Sequence, residues 1–211
     1  MRKNTIIGGA DGPTSVFLIK KNAKLTLRQK LEKCRYKLKR SYVERTIKAN
    51  SHSLDEVIDY IVNVYGFVEV EGEEVRTEYE EMRASFIMQY APELLGEYAT
   101  MPQLKSESKE DIMVHIGEFQ KRQQRAMEIP IEKFDIDFHK FQIPFDDIND
   151  NMHIIVEKRF AYIGGGVSGS KKEMRRFHKI FKDVHRYYGV TREDIEMKSK
   201  RYEQVVRALI R

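Results

Sequence analysis

The run Gly164-Gly165-Gly166-Val167-Ser168-Gly169-Ser170-Lys171-Lys172, with Arg175 just beyond it, holds the residue types best suited to chemistry in this chain. A β-rich stretch ends near Ile163, the glycines free the backbone to turn, and a helical pattern opens near Ser170. The start of a helix presents unpaired N–H groups and the positive end of its dipole. With Lys171, Lys172 and Arg175 beside it, such a start can hold phosphate or another anion. The expected anion set is Gly164, Gly165, Gly166, Ser168, Gly169, Ser170, Lys171, Lys172 and Arg175. A nucleotide-hydrolysing loop wants glycine, four residues, then Gly-Lys-Ser/Thr. Gly164 and Gly169 have that spacing, but Ser170-Lys171-Lys172 follows one residue out of register. Hydrolysis is therefore not indicated, and a plain strand-to-helix connection is the alternative reading.

Other constellations are weaker. Asp135, Asp137 and His139 alternate as one face of a strand, with the first two carboxylates about 7 Å apart by strand rise. They could begin a metal site with His153 or an acid from the loop, but alternation alone predicts solvent-facing strand residues and is the preferred reading. Asp147, Asn149 and Asn151 have calcium-loop spacing but lack the glycine, since Met152 follows, and Lys158 stands where the loop's glutamate belongs. His115, His178 and His185 have no partner at metal-ligand spacing, and no catalytic triad or nucleophile elbow is found. Cys34 falls on an apolar stripe and is expected to be buried and inert. Tyr187-Tyr188-Gly189-Val190-Thr191 between two helical patterns invites a helix-turn-helix reading. His185 and the acidic Glu193 and Asp194 argue for an ordinary helical hairpin instead. Neither a metal nor a cofactor is expected.

Charge is distributed in blocks. Residues 1–50 carry 14 Lys/Arg against 3 Asp/Glu, and residues 51–100 carry 2 against 12. Residues 101–150 carry 7 against 11, and residues 151–211 carry 15 against 7. Basic ends suit an anionic partner, although basic and acidic helices that merely neighbour each other give the same pattern. Lys30, Lys33, Lys37 and Arg40, with Lys171, Lys172, Arg175, Arg176 and Lys179, are the residues expected on a basic surface. The leading expectation is a non-catalytic binding protein for nucleic acid, a nucleoprotein or an acidic protein. The rivals are an enzyme or ligand-binding protein using phosphate at residues 164–172, and a structural protein with internally paired charges.

A different signal stands at the front. Ile6-Ile7-Gly8-Gly9-Ala10-Asp11-Gly12-Pro13-Thr14-Ser15-Val16-Phe17-Leu18 resembles a signature of the β subunits of sodium-translocating carboxylic-acid and acyl-CoA decarboxylases. In that family the segment lies in a membrane-embedded region, and its aspartate is implicated in coupling sodium transport to decarboxylation of carboxybiotin. The resemblance implies a special place for Gly8, Gly9, Asp11, Gly12, Pro13 and Thr14. It covers about 13 of 211 residues, and no apolar run approaches the ~20 residues of a membrane span. The expectation is a shared short module, by motif only, without transport activity or membrane insertion. One cysteine and the glycine-broken apolar stretch after Met1 point to a cytoplasmic chain.

The elements that must position these residues are mostly helical. Leu27, Leu31, Cys34, Leu38 and Tyr42 make one stripe of a helix over 26–49. Ser53 with Glu56 caps a second helix ending at Gly66, and residues 67–72 read as a short edge strand. Val75, Tyr79, Met82, Phe86 and Tyr90 phase a third helix, and Ile112, Ile116, Phe119, Gln123 and Ala126 a fourth. Residues 134–143 and 152–166 then read as the two strands of one hairpin, near 134–163. Met174, Phe177, Phe181, Val184 and Tyr188 phase a fifth helix, and a last one starts at Thr191. The fold class is α+β. The expectation is a mainly helical single domain over 23–211 with a small antiparallel sheet, preceded by a glycine-rich turn segment over 1–22.

Overall fold

Five helices start on hydroxyl caps, because a side-chain oxygen just before the first turn accepts one of its free N–H groups. Thr26, Ser53, Ser170 and Thr191 do so within full capping boxes closed by Gln29, Glu56, Glu173 and Asp194, while Ser108 caps through the Asp111 N–H. The structure, a computed structural model, describes residues 26–104, 106, 108–144 and 151–210. The elements are α1 (Leu27–Thr46), β1 (Asn50–Ser51), α2 (Leu54–Tyr65), β2 (Val68–Glu69), α3 (Glu73–Tyr90) and α4 (Lys109–Met127). There follow β3 (Phe138–Pro144), β4 (Asn151–Glu157), β5 (Tyr162–Ser168), α5 (Lys171–Tyr188), β6 (Gly189–Val190), α6 (Arg192–Met197) and α7 (Lys200–Ile210). Short 3-10 turns at Pro92–Tyr98 and Ile131–Lys133 complete the list. The fold is α+β, mainly helical, with a small antiparallel sheet. The decarboxylase-like motif and the 145–150 loop lie outside the described residues.

The described residues form two compact units, one over residues 71–136 and the other over 26–70 together with 137–210. The larger unit holds a four-stranded antiparallel sheet in the order β2-β3-β4-β5, so the short acidic strand is at an edge as its alternation suggests. β3 pairs with β4 through Phe141 opposite Ile154, and β4 with β5 through Ile154 opposite Gly165. α5 lays Phe177, Ile180, Phe181, Val184 and Tyr188 into a core shared with Val57 and Ile61 of α2, Phe67, and Val205 and Val206 of α7. A second, two-residue ladder joins β1 to β6. It needs Gly189, whose φ is +57° and where a Cβ would lie 1.5 Å from the Asn50 carbonyl oxygen. Glu157, fully buried, closes the β4–β5 turn: its carboxylate accepts N–H groups from Asp137 (3.0 Å), Arg159 (3.1 Å) and Phe160 (2.6 Å).

The smaller unit pairs α3 with α4 around Ala84, Ile87, Leu95, Ala126 and Ile129. Two arginines serve backbone carbonyls there. Arg83, buried, donates to Phe134 and Ile129, and Arg122 donates to Met88, Tyr98 and Ala99. Tyr79 donates to Asp135 at 2.6 Å.

Several expectations are corrected. The α1 stripe exists but faces solvent: Leu27, Leu31, Leu38 and Tyr42 are 67–79% exposed, and Cys34 is exposed rather than buried. Val43 and Arg40, on the opposite side of the helix, carry its packing. In α3 the buried face is Arg83, Ala84, Phe86 and Ile87, one position round from the expected stripe. The first hairpin strand starts at Phe138 rather than Phe134, because a 3-10 turn takes up residues 131–133. What reads as one strand over 152–166 is two, β4 and β5, folded back at a turn where Ala161 has a φ of +55°. The final helix is also two, interrupted at Lys198 with a φ of +48°. Ser199 accepts the Tyr202 N–H as α7 begins.

Candidate functional site

Helix α5 carries its apolar residues on one side, leaving the other to charge. At 100° per residue, Lys171, Lys172, Arg175, Arg176, Lys179, Lys182 and Arg186 all fall within an arc of about 140°. Six of them are exposed and Lys182 is half-buried. From Lys171 to Arg186 is about 22 Å of helix. Among the described residues none of the seven is engaged in an ion pair. The single carboxylate on this face, Asp183, is occupied by two phenols. Tyr60 donates to its Oδ2 at 2.5 Å and Tyr65 at 2.7 Å. The bond to Asp183 raises the Tyr60 pKa, and burial together with Asp183 raises that of Tyr65, so both hydroxyls stay donors.

Two shallow clefts border this face and share Lys182 and Arg186. The larger, of about 700 Å³, is lined by Tyr65, Arg176, Lys179, Ile180 and Asp183 besides these two. The smaller, of about 400 Å³, adds Lys39 and Lys48 from α1 and the segment after it, over an apolar floor of Val43, Ile47, Val205 and Leu209. Burial, Lys39 and Arg186 hold the Lys182 ammonium below the usual lysine value. That is the electrostatic signature of cations crowded without an anion.

Beside the basic face stands a column of three rings. Tyr187 stacks on His52 (centroids 3.9 Å apart, 12° between planes) and on Tyr60 (4.1 Å, 6°). Two parallel neighbours at such distances occupy opposite faces of Tyr187. His52 Nδ1–H donates to the Tyr187 carbonyl at 2.6 Å, fixing the imidazole in place. All three rings are half-buried.

The structure distributes the expected anion set differently from the sequence reading. Gly164, Gly165 and Gly166 lie within β5, so the strand does not end at Ile163 but runs on to Ser168. A Cβ at Gly165 would lie 2.4 Å from the His153 carbonyl oxygen and 3.3 Å from Phe177, so close packing of strand and helix explains the glycine. Gly169 turns the chain with a φ of +146°, and Ser170 caps α5. Glu173 accepts the Ser170 N–H at 2.6 Å, placing the helix's own carboxylate at the N-terminus. Of that set, Lys171, Lys172 and Arg175 join Arg176 and Lys179 on the face of α5. Lys30, Lys33 and Lys37 are exposed along α1. Arg40 is committed elsewhere: it bonds Glu44 at 2.7 Å and Glu203 at 2.6 Å, tying α1 to α7, and these partners raise its pKa.

Asp135, Asp137 and His139, weighed as the start of a metal site, also take separate partners. Asp135 holds Tyr79, whereas His139 lies between Glu69 (2.7 Å) and Asp137 (3.0 Å). Among the described residues no group of three or more His, Cys, Asp or Glu is arranged to hold a metal ion. None of their helices is long and apolar enough to cross a membrane. Sequence reading overlooked Lys182 and Arg186, although the period that links Arg175 to Lys179 continues through both. It also overlooked Lys39, Lys48, His52, Tyr60 and Tyr187, whose relevance depends on contacts across the fold. No protein-family model, curated protein or solved structure matches this chain.

Proposed function

We propose that this chain is a non-catalytic nucleic-acid-binding protein that holds the phosphate backbone on the basic face of α5. The observation that carries the reading is the face itself: seven cations, none in an ion pair among the described residues, with the one intervening carboxylate engaged by Tyr60 and Tyr65. Seven charges over about 22 Å approach the spacing of one phosphate per ~3.4 Å along a strand of B-form DNA. Lys39 and Lys48 extend the positive surface beyond α5 through the smaller cleft.

The test is a fluorescence-polarisation titration against DNA and RNA at several salt concentrations. Binding weakens steeply with salt, because each neutralised phosphate releases counterions. Reversing Arg176 and Lys179 to Glu weakens binding across all sequences and reduces the salt slope by about 2. No binding at low salt overturns the reading. Equal competition by polyglutamate transfers it to an acidic protein.

A further inference from the structure

We propose that the nucleic acid taken up is single-stranded, with unpaired bases stacking on the His52–Tyr187–Tyr60 column while α5 holds the phosphates. This rests on the reading of α5 as a phosphate-binding face. Tyr187 belongs to α5 itself, directly after Arg186, so the column and the cations share one helix. The column is not part of the packed core. Tyr187 and Tyr65 pack against the core as partly buried residues, and all three stacked rings are half-buried rather than fully covered. Its spacings of 3.9 and 4.1 Å are those of stacked aromatic rings, so a further flat ring extends the series. Tyr60 also orients Asp183, which keeps its ring fixed beside the phosphate track. A duplex hides the faces of its bases inside the stack, whereas a single strand offers bases and phosphates together. Rings beside a basic groove are how proteins hold such strands without reading their sequence.

The experiment compares three ligands with the same number of phosphates per strand. They are a fluorescein-labelled oligothymidylate of about twelve nucleotides, the same strand with abasic sites throughout, and the corresponding duplex. The expected result is an affinity for the oligothymidylate at least about tenfold higher than for the other two, since each stacked base contributes strongly. Tyr60→Leu or His52→Leu brings the ratio of oligothymidylate to abasic affinity down toward one. Tyr60→Phe keeps the ring and restores the ratio to within about twofold of the native value. If Tyr60→Leu fails to fold, seen as lost helical circular dichroism, His52→Leu decides. The chain has no tryptophan, so quenching of its tyrosine emission by the bases gives a second readout. Equal affinity for all three ligands overturns the stacking while leaving the phosphate reading intact. So does a strand preference that neither leucine variant alters. Binding to none of the three overturns both.

Discussion

At Lys182 three positive charges converge, and the free protein bears the cost. Burial, Lys39 and Arg186 lower its pKa. The unfolded chain therefore binds this proton more readily than the folded one. By linkage, the residue detracts from stability at neutral pH, and the loss is relieved as pH rises through the folded and then the unfolded pKa. Lys182→Gln is expected to raise the melting temperature by about 1–2 °C. The same variant weakens nucleic-acid affinity, as differential scanning fluorimetry and polarisation will together show. A lower melting temperature would mean that Lys182 is stabilised by a partner. That residue-scale contrast also marks the limit of sequence reading. Arg40 and Arg176 look alike as basic residues on amphipathic helices. Only the fold brings Glu203, 163 positions away, to Arg40.

Element beginnings were legible where a cap and its carboxylate sit three residues apart, as at Ser53 with Glu56, and the helix start near Ser170 was visible without its Glu173 partner. The phase of α5 was legible from its apolar period, except that Met174, expected in the buried stripe, is exposed. Burial was not. Leu27, Leu31 and Leu38 have a core-like period, yet α1 is held through its other side by Val43 and Arg40. The glycines of β5 misled through composition, since three in a row suggest a turn, whereas Gly165 permits strand β4 and helix α5 to approach. Gly189 is the more demanding position. It combines a left-handed φ with backbone contact at Asn50, so Gly189→Ala should break the β1–β6 ladder. A loss of more than about 2 kcal/mol in urea unfolding is expected. A change below about 0.5 kcal/mol would show that the ladder is dispensable.

For the whole molecule, the charge blocks of the sequence follow the division into units. Residues 71–136 carry 8 Lys/Arg against 15 Asp/Glu, while 24–70 together with 137–211 carry 26 against 17. The blocks were visible in the sequence, but the joining of the two basic segments in one unit is made by contacts across the fold: β2 with β3, β1 with β6, α2 with α5 and Arg40 with Glu203. Val70 donates to the Lys140 carbonyl at 2.9 Å, so the chain leaves and rejoins the basic unit at neighbouring points. Replacing residues 71–136 by a short Asn-Gly turn is therefore expected to leave a cooperatively melting protein whose nucleic-acid affinity stays within about threefold. A loss of the far-UV melt would show that the basic unit needs the acidic one to fold. The same connectivity imposes an order of events during synthesis. Once α2 and β2 have been made, Val57, Ile61 and Phe67 must wait for β3, β4 and α5 to cover them. At ribosomal rates of about 5–20 residues/s, passage from residue 71 to the end of α5 takes about 6–24 s. For that interval the first half of the basic core is a nascent apolar surface without its complement.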